Sequence, residues 1–197
     1  MARKTAERRE ALRNRLIDDA ERQIRENGLA SLRARPLAEA AGCSVGAIYT
    51  VVPDLTALVL AVNGRTFRRL GAEIGAAIDA KADGTPQDRL LAMATAYLRF
   101  ADANRNLWRS LFDVEMSEKT EIPAWYDEEL AKLFAFISAP LAELHPDKGT
   151  EEIAFLTRTL FSSAHGIVLL GLERRFSAAP MDELEDMIAH LIETSAK

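Results

Sequence analysis

The chain has 197 residues, of which 48% are hydrophobic and 28% charged, with a formal net charge of −5 and one cysteine. This length allows one or two domains with a sizeable core, and a single cysteine excludes a disulfide framework within the chain. The charged N-terminus lacks the apolar stretch of a signal peptide. No run without a charged residue is longer than 159–172, and a run of that length is too short to span a bilayer. We therefore expect a cytoplasmic protein without a membrane segment.

The distribution of apolar residues predicts an all-α fold. Leu and Ala are abundant, and no segment alternates between polar and apolar residues with period two. The first predicted helix carries an apolar stripe at helical spacing and ends at Asn27 and Gly28, a typical helix stop. The members of that stripe are Leu12, Leu16, Ile17, Ala20 and Ile24.

Residues 37–50 are the most informative stretch of the chain. They predict a helix, a break at 41–43 and a second short helix that begins after Ser44. Gly42 suits the left-handed position that ends a helix, and Ser44 suits the N-cap of the next one.

The apolar residues of this stretch predict that its two helices pack together. Leu37, Ala38 and Ala41 share one face of the first helix, and Ile48 can close over them from the second. Two short helices joined by a tight Gly turn form a helix-turn-helix unit, whose second helix can lie in a DNA major groove. An ordinary helical hairpin in a protein core is the alternative interpretation.

A long first helix, a Gly stop and a helix-turn-helix within the first fifty residues resemble the tetracycline-repressor (TetR) family of transcriptional regulators. The resemblance implies a nine-helix, two-domain architecture. Residues 1–52 would be the DNA-binding head, and residues 53–197 would bind a ligand and dimerise, with a connecting helix over about 54–81. The matching positions are Gly28, Leu37, Ala38, Ala41, Gly42, Ser44, Gly46, Ile48, Tyr49, Pro53, Asp54 and Leu58.

The charge distribution is consistent with double-stranded DNA as a partner. Residues 1–50 hold 10 basic and 7 acidic residues, a net charge of +3, whereas the remainder holds 15 and 23, a net charge of −8. A basic head on an acidic body is typical of a phosphate-binding domain carried by an effector module, although a solvated surface gives the same pattern.

The resemblance also suggests which residues contact DNA. Family members usually have a Lys at the position of Leu55, where it helps to hold a phosphate. Here Arg33 and Arg35, which flank the start of the second helix, could take its place. The predicted DNA-contacting residues are Arg33, Arg35, Ser44, Val45, Gly46, Ala47, Tyr49 and Thr50.

Five further helices are expected beyond the connecting helix, which is followed by a break at 82–86. The fifth helix should cover residues 87–103, and the sixth should start near Asn106. A polar stretch at 115–121 predicts a loop. The seventh helix should follow Pro123, a good first-turn residue. The eighth and ninth should cover 151–175 and 180–194.

Large side chains on faces of four of these helices can converge on one interior space. Plain core packing explains such a set as well as a pocket does, but the family resemblance favours a site for a mainly apolar small molecule, oriented by His165 or Tyr97. The His165-Gly166 pair also resembles a subgroup with a Trp…His-Gly motif, with Phe161 at the usual Trp position. The predicted ligand-binding residues are Tyr97, Trp108, Phe112, Phe134, Phe161 and His165.

The eighth helix is apolar almost all round over residues 159–172, which indicates burial on more than one side. The resemblance implies that the last two helices of each chain form a four-helix homodimer interface. A core within one chain is the alternative. The predicted interface residues are Thr159, Ser163, Gly166, Leu170, Leu184, Ile188 and Leu191.

Catalytic and metal-binding motifs are missing from the sequence. His145, His165 and His190 lie in three different predicted segments, and none has the spacing of a helix-borne zinc or di-iron site. Neither a Gly-rich phosphate loop after a strand nor a Gly-x-Ser-x-Gly elbow occurs. We therefore expect no cofactor, no metal and no enzyme. The resemblance implies a ligand-responsive, homodimeric repressor that is released from its operator by a small effector. The alternative is a helical small-molecule-binding protein with little DNA binding, which the absent Lys at position 55 would explain.

Overall fold

A computed structural model describes residues 2–114, 122–173 and 178–195 of the chain. The predicted loop at 115–121 and the end of the predicted eighth helix beyond Glu173 lie outside the described residues. Within those residues the chain forms nine α-helices and one short 3-10 turn, Leu29–Ser31, and no strand. The helices are α1 Ala2–Asn27, α2 Ala34–Ala40, α3 Val45–Ile48, α4 Leu55–Asp79, α5 Pro86–Ala103, α6 Arg105–Asp113, α7 Ala124–Leu144, α8 Thr150–Leu172 and α9 Met181–Ser195. The predicted all-α fold class is confirmed.

The chain divides into two compact units. The first unit contains Met1–Phe67 and Asn104–Tyr126, and the second contains Arg68–Ala103 and Asp127–Lys197. The helix α4 is continuous and contributes residues to both. The structure therefore groups α6 with the helix-turn-helix head rather than with the helices that follow it in sequence.

The first unit is built around one apolar core beneath the helix-turn-helix. Leu16 and Ile24 of α1 are fully buried there, and Leu107 brings α6 into the same core. Asn106 fixes α6 further, because its Nδ2 donates a hydrogen bond of 2.9 Å to the carbonyl of Arg25 at the end of α1.

A buried polar pair joins α4 to α6 inside the first unit. Asn63 and Ser110 are both fully buried. The Nδ2 of Asn63 donates to the Ser110 carbonyl at 2.8 Å, and the Ser110 hydroxyl donates to Oδ1 of Asn63. Burial raises the pKa of Tyr126, whose hydroxyl also bonds to Asn63. The buried polar groups of Asn63 and Ser110 therefore satisfy each other's hydrogen-bonding requirements.

The second unit is a helical bundle in which α8 packs against α5 and α9, and α5 packs against α9. Ile153, Leu160 and Val168 place one face of α8 in its core. One helix of the described residues, α8, is long and apolar enough by length and composition alone to cross a membrane, a property that core helices of bundles share.

Candidate functional site

The turn between α2 and α3 has the geometry of a helix stop that requires glycine. Gly42 has a φ of 66°, which L-residues with side chains rarely adopt. The Cys43 N–H donates to the Ala38 carbonyl at 2.9 Å, and the Gly42 N–H donates to the Glu39 carbonyl at 3.2 Å. This pair of bonds is a Schellman motif. It turns the chain sharply between the two helices, as the sequence predicts.

The short helix α3 has one buried face and one exposed face. Ser44 caps its N-terminus, because the hydroxyl oxygen accepts a hydrogen bond of 3.2 Å from the Ala47 N–H. Ile48 is fully buried with Leu37 in the core of the first unit, so the predicted packing of the two helices is confirmed. Val45 and Tyr49 are 40% and 49% exposed. The helix therefore presents an apolar methyl-bearing side chain and a phenol to solvent.

Most of the remaining predicted DNA-contacting residues are also exposed. Gly46 and Thr50 are exposed, Ala47 is half-buried, and Arg35 is exposed on α2. Arg33 is exposed as well, but its Nη1 donates hydrogen bonds of 2.8 Å to the carbonyls of Ala30 and Leu32. Arg33 thus has a structural contact that the sequence did not predict.

The start of α4 is capped by the acidic side chain that precedes it. Oδ1 of Asp54 accepts a hydrogen bond of 2.7 Å from the Ala57 N–H. The carboxylate therefore accepts a hydrogen bond from its own helix. Leu55, the next residue in the sequence, carries no charge.

A basic residue outside the predicted set lies beside the end of α3. The Nη2 of Arg9 donates a hydrogen bond to the carbonyl of Thr50. This contact joins residues 41 positions apart, so the local periodicity of the sequence does not reveal it.

Four of the six predicted ligand-binding residues meet in the second unit. The ring of Phe161 lies 5.1 Å from that of Phe134 and 6.2 Å from that of Tyr97, both edge-on, and it stacks on His165 at 5.6 Å. The Tyr97 hydroxyl is 2.8 Å from Nδ1 of His165, and the tautomer of the ring decides which atom donates. These four residues, Tyr97, Phe134, Phe161 and His165, are called the aromatic cluster below.

The polar groups of the aromatic cluster are poorly solvated. Tyr97 is 8% exposed, and His165 is half-buried. Burial lowers the pKa of His165 below its ordinary value of 6.5, since the charged imidazolium loses hydration there. The cluster therefore offers an apolar surface with one neutral hydrogen-bonding pair.

The other two predicted ligand-binding residues, Trp108 and Phe112, belong to the first unit and not to the unit that holds the aromatic cluster. Trp108 is 2% exposed and contacts Phe112 edge-on at 5.5 Å, whereas Phe112 is 44% exposed. The structure therefore brings four of the six side chains together, and it places Trp108 and Phe112 in the first unit because α6 is held by α1 through Asn106 and Leu107.

A surface groove of about 610 Å³ runs between the end of α4 and α5 in the second unit. Its lining combines four alanines, Ala76, Ala77, Ala92 and Ala96, with four charged residues, Glu73, Lys81, Asp88 and Arg99. None of the predicted ligand-binding residues lines it.

The predicted interface residues of α8 form an exposed stripe. Thr159 and Ser163 are exposed, Leu170 is 53% exposed, and a Cβ at Gly166 would meet nothing within 4 Å. Phe155, which was not among the predicted interface residues, extends this stripe by one turn and is 62% exposed. These five residues, Phe155, Thr159, Ser163, Gly166 and Leu170, are called the α8 stripe below.

On α9 the predicted interface residues do not all face outwards. Leu184 is 1% exposed and Ile188 is fully buried within the chain, so neither has surface to offer a partner. Their prediction as interface residues is wrong, because both pack into the core of their own unit. Met187 is 43% exposed and Leu191 is half-buried. The apolar surface of α9 therefore lies at these two positions.

Among the residues that the structure describes, no group of three or more His, Cys, Asp or Glu side chains could hold a metal ion.

Comparison with known proteins agrees with this architecture. The family described as "Tetracyclin repressor-like, C-terminal domain" matches residues 90–195. An uncharacterized HTH-type transcriptional regulator of Mycobacterium tuberculosis (strain H37Rv) is 33% identical over 152 residues, which cover 74% of this chain and 69% of that protein.

Solved structures show the same fold. A Rhodococcus sp. RHA1 protein of unknown function superposes with a TM-score of 0.74 at 25% identity, covering 94% of this chain and 96% of the other. The structure of RolR in complex with resorcinol superposes with a TM-score of 0.69 at 19% identity, covering 96% and 89%. The family match and the relative together make this chain a regulator rather than an enzyme. The chain belongs to the tetracycline-repressor family of transcriptional regulators.

Proposed function

We propose that this regulator is a repressor that binds a pseudo-palindromic operator as a homodimer and is released by a small, mainly apolar effector. The observation that carries the proposal is the exposed face of α3, with Val45 and Tyr49 on a helix whose opposite side is locked into the head by Ile48. A helix held in this way can enter a major groove without rearranging the core beneath it.

The exposed residues of α3 indicate how the operator would be recognised. Val45 and Ala47 can contact thymine methyl groups, and Tyr49 and Thr50 can reach phosphates or base edges. Ser44 and Gly46 allow the backbone to approach the DNA, and Arg33 and Arg35 would bind phosphates. Because most of these side chains are small, sequence selection should depend on methyl contacts and on DNA shape.

The effector site is proposed at the aromatic cluster. Three aromatic rings provide apolar surface, and the Tyr97–His165 pair can exchange its internal hydrogen bond for one to the ligand. A neutral imidazole favours an uncharged ligand or one with a single acceptor oxygen. The related fold of RolR holds resorcinol, which supports a small ring compound bearing a hydroxyl group.

The homodimer interface is proposed at the α8 stripe together with Met187 and Leu191. Only 22% of the most apolar segment of α8 is buried within the chain. The chain alone thus leaves a large apolar surface exposed, which is typical of a protein–protein interface. A second copy of the same helices satisfies this need, since an isologous contact pairs the stripe with itself. The small side chains at Thr159, Ser163 and Gly166 allow two helices to approach closely.

Regulation would follow from a two-state equilibrium of the dimer. An effector that binds one arrangement of the second units more tightly shifts the population toward it and changes the separation of the two heads. The continuous helix α4 contributes residues to both units and is the proposed connection between the two sites.

The test of the DNA-binding proposal is a selection with the purified protein. Genomic fragments retained by the wild-type protein are sequenced, and the same selection is made with Tyr49→Ala and with Ala142→Ser, a change at an exposed position of α7. An enriched inverted repeat that is lost with Tyr49→Ala and kept with Ala142→Ser supports the proposal. Equal, unselective recovery for all three proteins favours a ligand-binding protein with little DNA binding.

The effector proposal is tested by thermal shift with a panel of substituted phenols and aromatic acids. We expect a compound that stabilises the wild-type protein and releases it from DNA. The same compound should fail to stabilise Tyr97→Phe or His165→Leu. Stabilisation that both variants retain would place the ligand elsewhere, for which the groove on α4 and α5 is the next position to examine.

A further inference from the structure

The positive charge of the head is concentrated on the first half of α1. Residues 2–15 hold six basic and two acidic side chains, whereas residues 16–50, which include the helix-turn-helix, hold four basic and five acidic ones. The whole basic excess of the head therefore comes from a segment outside the helix-turn-helix. Because phosphate contacts dominate affinity for DNA, we expect this basic segment to contribute to DNA binding.

One of these basic side chains is hydrogen-bonded to the backbone just beyond the end of α3. Arg9 donates through Nη2 to the Thr50 carbonyl, which lies two residues beyond α3. This bond holds the guanidinium beside Thr50 and Tyr49, both of which are exposed. A guanidinium has five N–H donors in a planar fork, and the side chain of Arg9 is itself exposed. The fork can bond to the carbonyl with one edge and to a second acceptor with another.

We propose that Arg9 is a DNA phosphate contact of the head, oriented for that contact by its hydrogen bond to the Thr50 carbonyl. The bond limits the rotamers of a long side chain, so less conformational entropy is lost when a phosphate binds. The contact lies where α3 would leave the major groove, next to the phosphate backbone of the DNA strand that borders this groove. This inference rests on the proposed DNA-binding function and adds a contact from α1 to it.

Arg8 provides a matched control. It neighbours Arg9 in sequence, is also exposed, and points about 100° away around the helix. Arg8→Ala and Arg9→Ala remove the same charge from the same segment, but only the second removes the contact beside Thr50. Arg9→Lys keeps the charge and loses the planar fork.

The experiment measures the affinity for a mixed-sequence DNA duplex over a range of salt concentrations, with circular dichroism melting of every variant. For Arg9→Ala we expect the slope of log affinity against log salt to fall by about 0.9 for each bound head. The slope should be retained in Arg8→Ala and in Arg9→Lys, and all three variants should melt like the wild type.

Three results would overturn the inference. Equal slopes for Arg9→Ala and Arg8→Ala would mean that Arg9 contributes only to the overall positive electrostatic potential of the head and makes no phosphate contact of its own. An unchanged slope with a lowered melting temperature in Arg9→Ala would assign the residue a structural role alone. If the wild-type protein itself shows no salt-dependent binding, the proposed DNA-binding function fails, and the contact fails with it.

Discussion

Leu184 of α9 packs directly against Gly171 of α8: a Cβ at residue 171 would lie only 2.2 Å from Cδ2 of Leu184. Gly166, five residues earlier on the same helix, has open space where its Cβ would be. The two glycines therefore mark two different faces of α8. Gly171 permits close packing within the chain, and Gly166 lies on the surface that we propose for a second copy.

Gly171→Val should destabilise the second unit. The added side chain must displace Leu184, which is 1% exposed and has little room to move. Overpacking of this kind costs about 1–3 kcal/mol, which exceeds the gain of up to about 1 kcal/mol from replacing a helical glycine by a better helix former. Denaturant unfolding measures the effect. Gly166→Ala is the control and should match or exceed the wild-type stability, and equal stability of Gly171→Val would show that α8 and α9 separate readily.

Gly166→Arg should separate the dimer while the chain still folds. The arginine has space on the isolated chain but would place an unpaired charge between two helices of a dimer, at a cost on the order of several kcal/mol. Light scattering after size exclusion measures the mass. Ala142→Arg adds the same charge at an exposed position of α7 and should leave the mass unchanged. A dimeric Gly166→Arg that still binds DNA would place the interface elsewhere.

The corrected interface shows what helical periodicity can and cannot predict. Leu184, Ile188 and Leu191 form an apolar stripe in the sequence, which predicts burial but not which chain buries each residue. In the structure, Leu184 and Ile188 are buried in the core of their own chain. Phe155 was overlooked because the uninterrupted uncharged run of this helix begins only at Thr159, although position 155 lies one helical turn before Thr159 on the same face.

Local signals were sufficient elsewhere in the chain. Gly42, Ser44 and Asp54 each determine a helix end through a backbone conformation or a short-range hydrogen bond, so their roles can be read from neighbouring residues. The assignment of Trp108 required contacts between α6 and α1, which are about eighty residues apart in sequence. Such contacts depend on tertiary packing, and no periodic pattern in the sequence reveals them.

Ser110→Ala should weaken the first unit. It removes the hydroxyl that donates to the buried Asn63 side chain, and an unsatisfied buried polar group costs about 1–3 kcal/mol. Ser162→Ala, the same change at an exposed position of α8, is the control and should change little. Denaturant unfolding of both variants provides the comparison. Equal stability of the two would mean that water or Tyr126 replaces the lost donor.

Acidification should destabilise the folded chain partly through His165. Its pKa is lowered by burial, so below about pH 6.5 the unfolded chain binds a proton that the folded chain resists. Stability from this residue is therefore lost as the pH falls. The melting temperature of the wild-type protein should decline more steeply between neutral and mildly acidic pH than that of His165→Gln. Parallel pH profiles would contradict this contribution.

Arg33 and Arg35 should differ when they are changed one at a time. Arg35→Ala should reduce the salt slope of DNA binding by about 0.9 per head without loss of stability. Arg33→Ala should also lower the melting temperature, because its bonds to Ala30 and Leu32 are lost. The double variant should lose about two phosphate contacts per head. An unchanged slope in the double variant would remove both residues from the DNA-binding surface.

The most direct measurement of the central claim is a hydroxyl-radical footprint of the wild-type protein on a DNA fragment that it selects, combined with the mass of the complex. We expect two-fold symmetric protection, with half-site centres one DNA turn or a multiple of about 34–36 Å apart, and an even number of protomers on each site. Protection of a single, asymmetric site by one protomer, or no discrete footprint on any selected fragment, would contradict it.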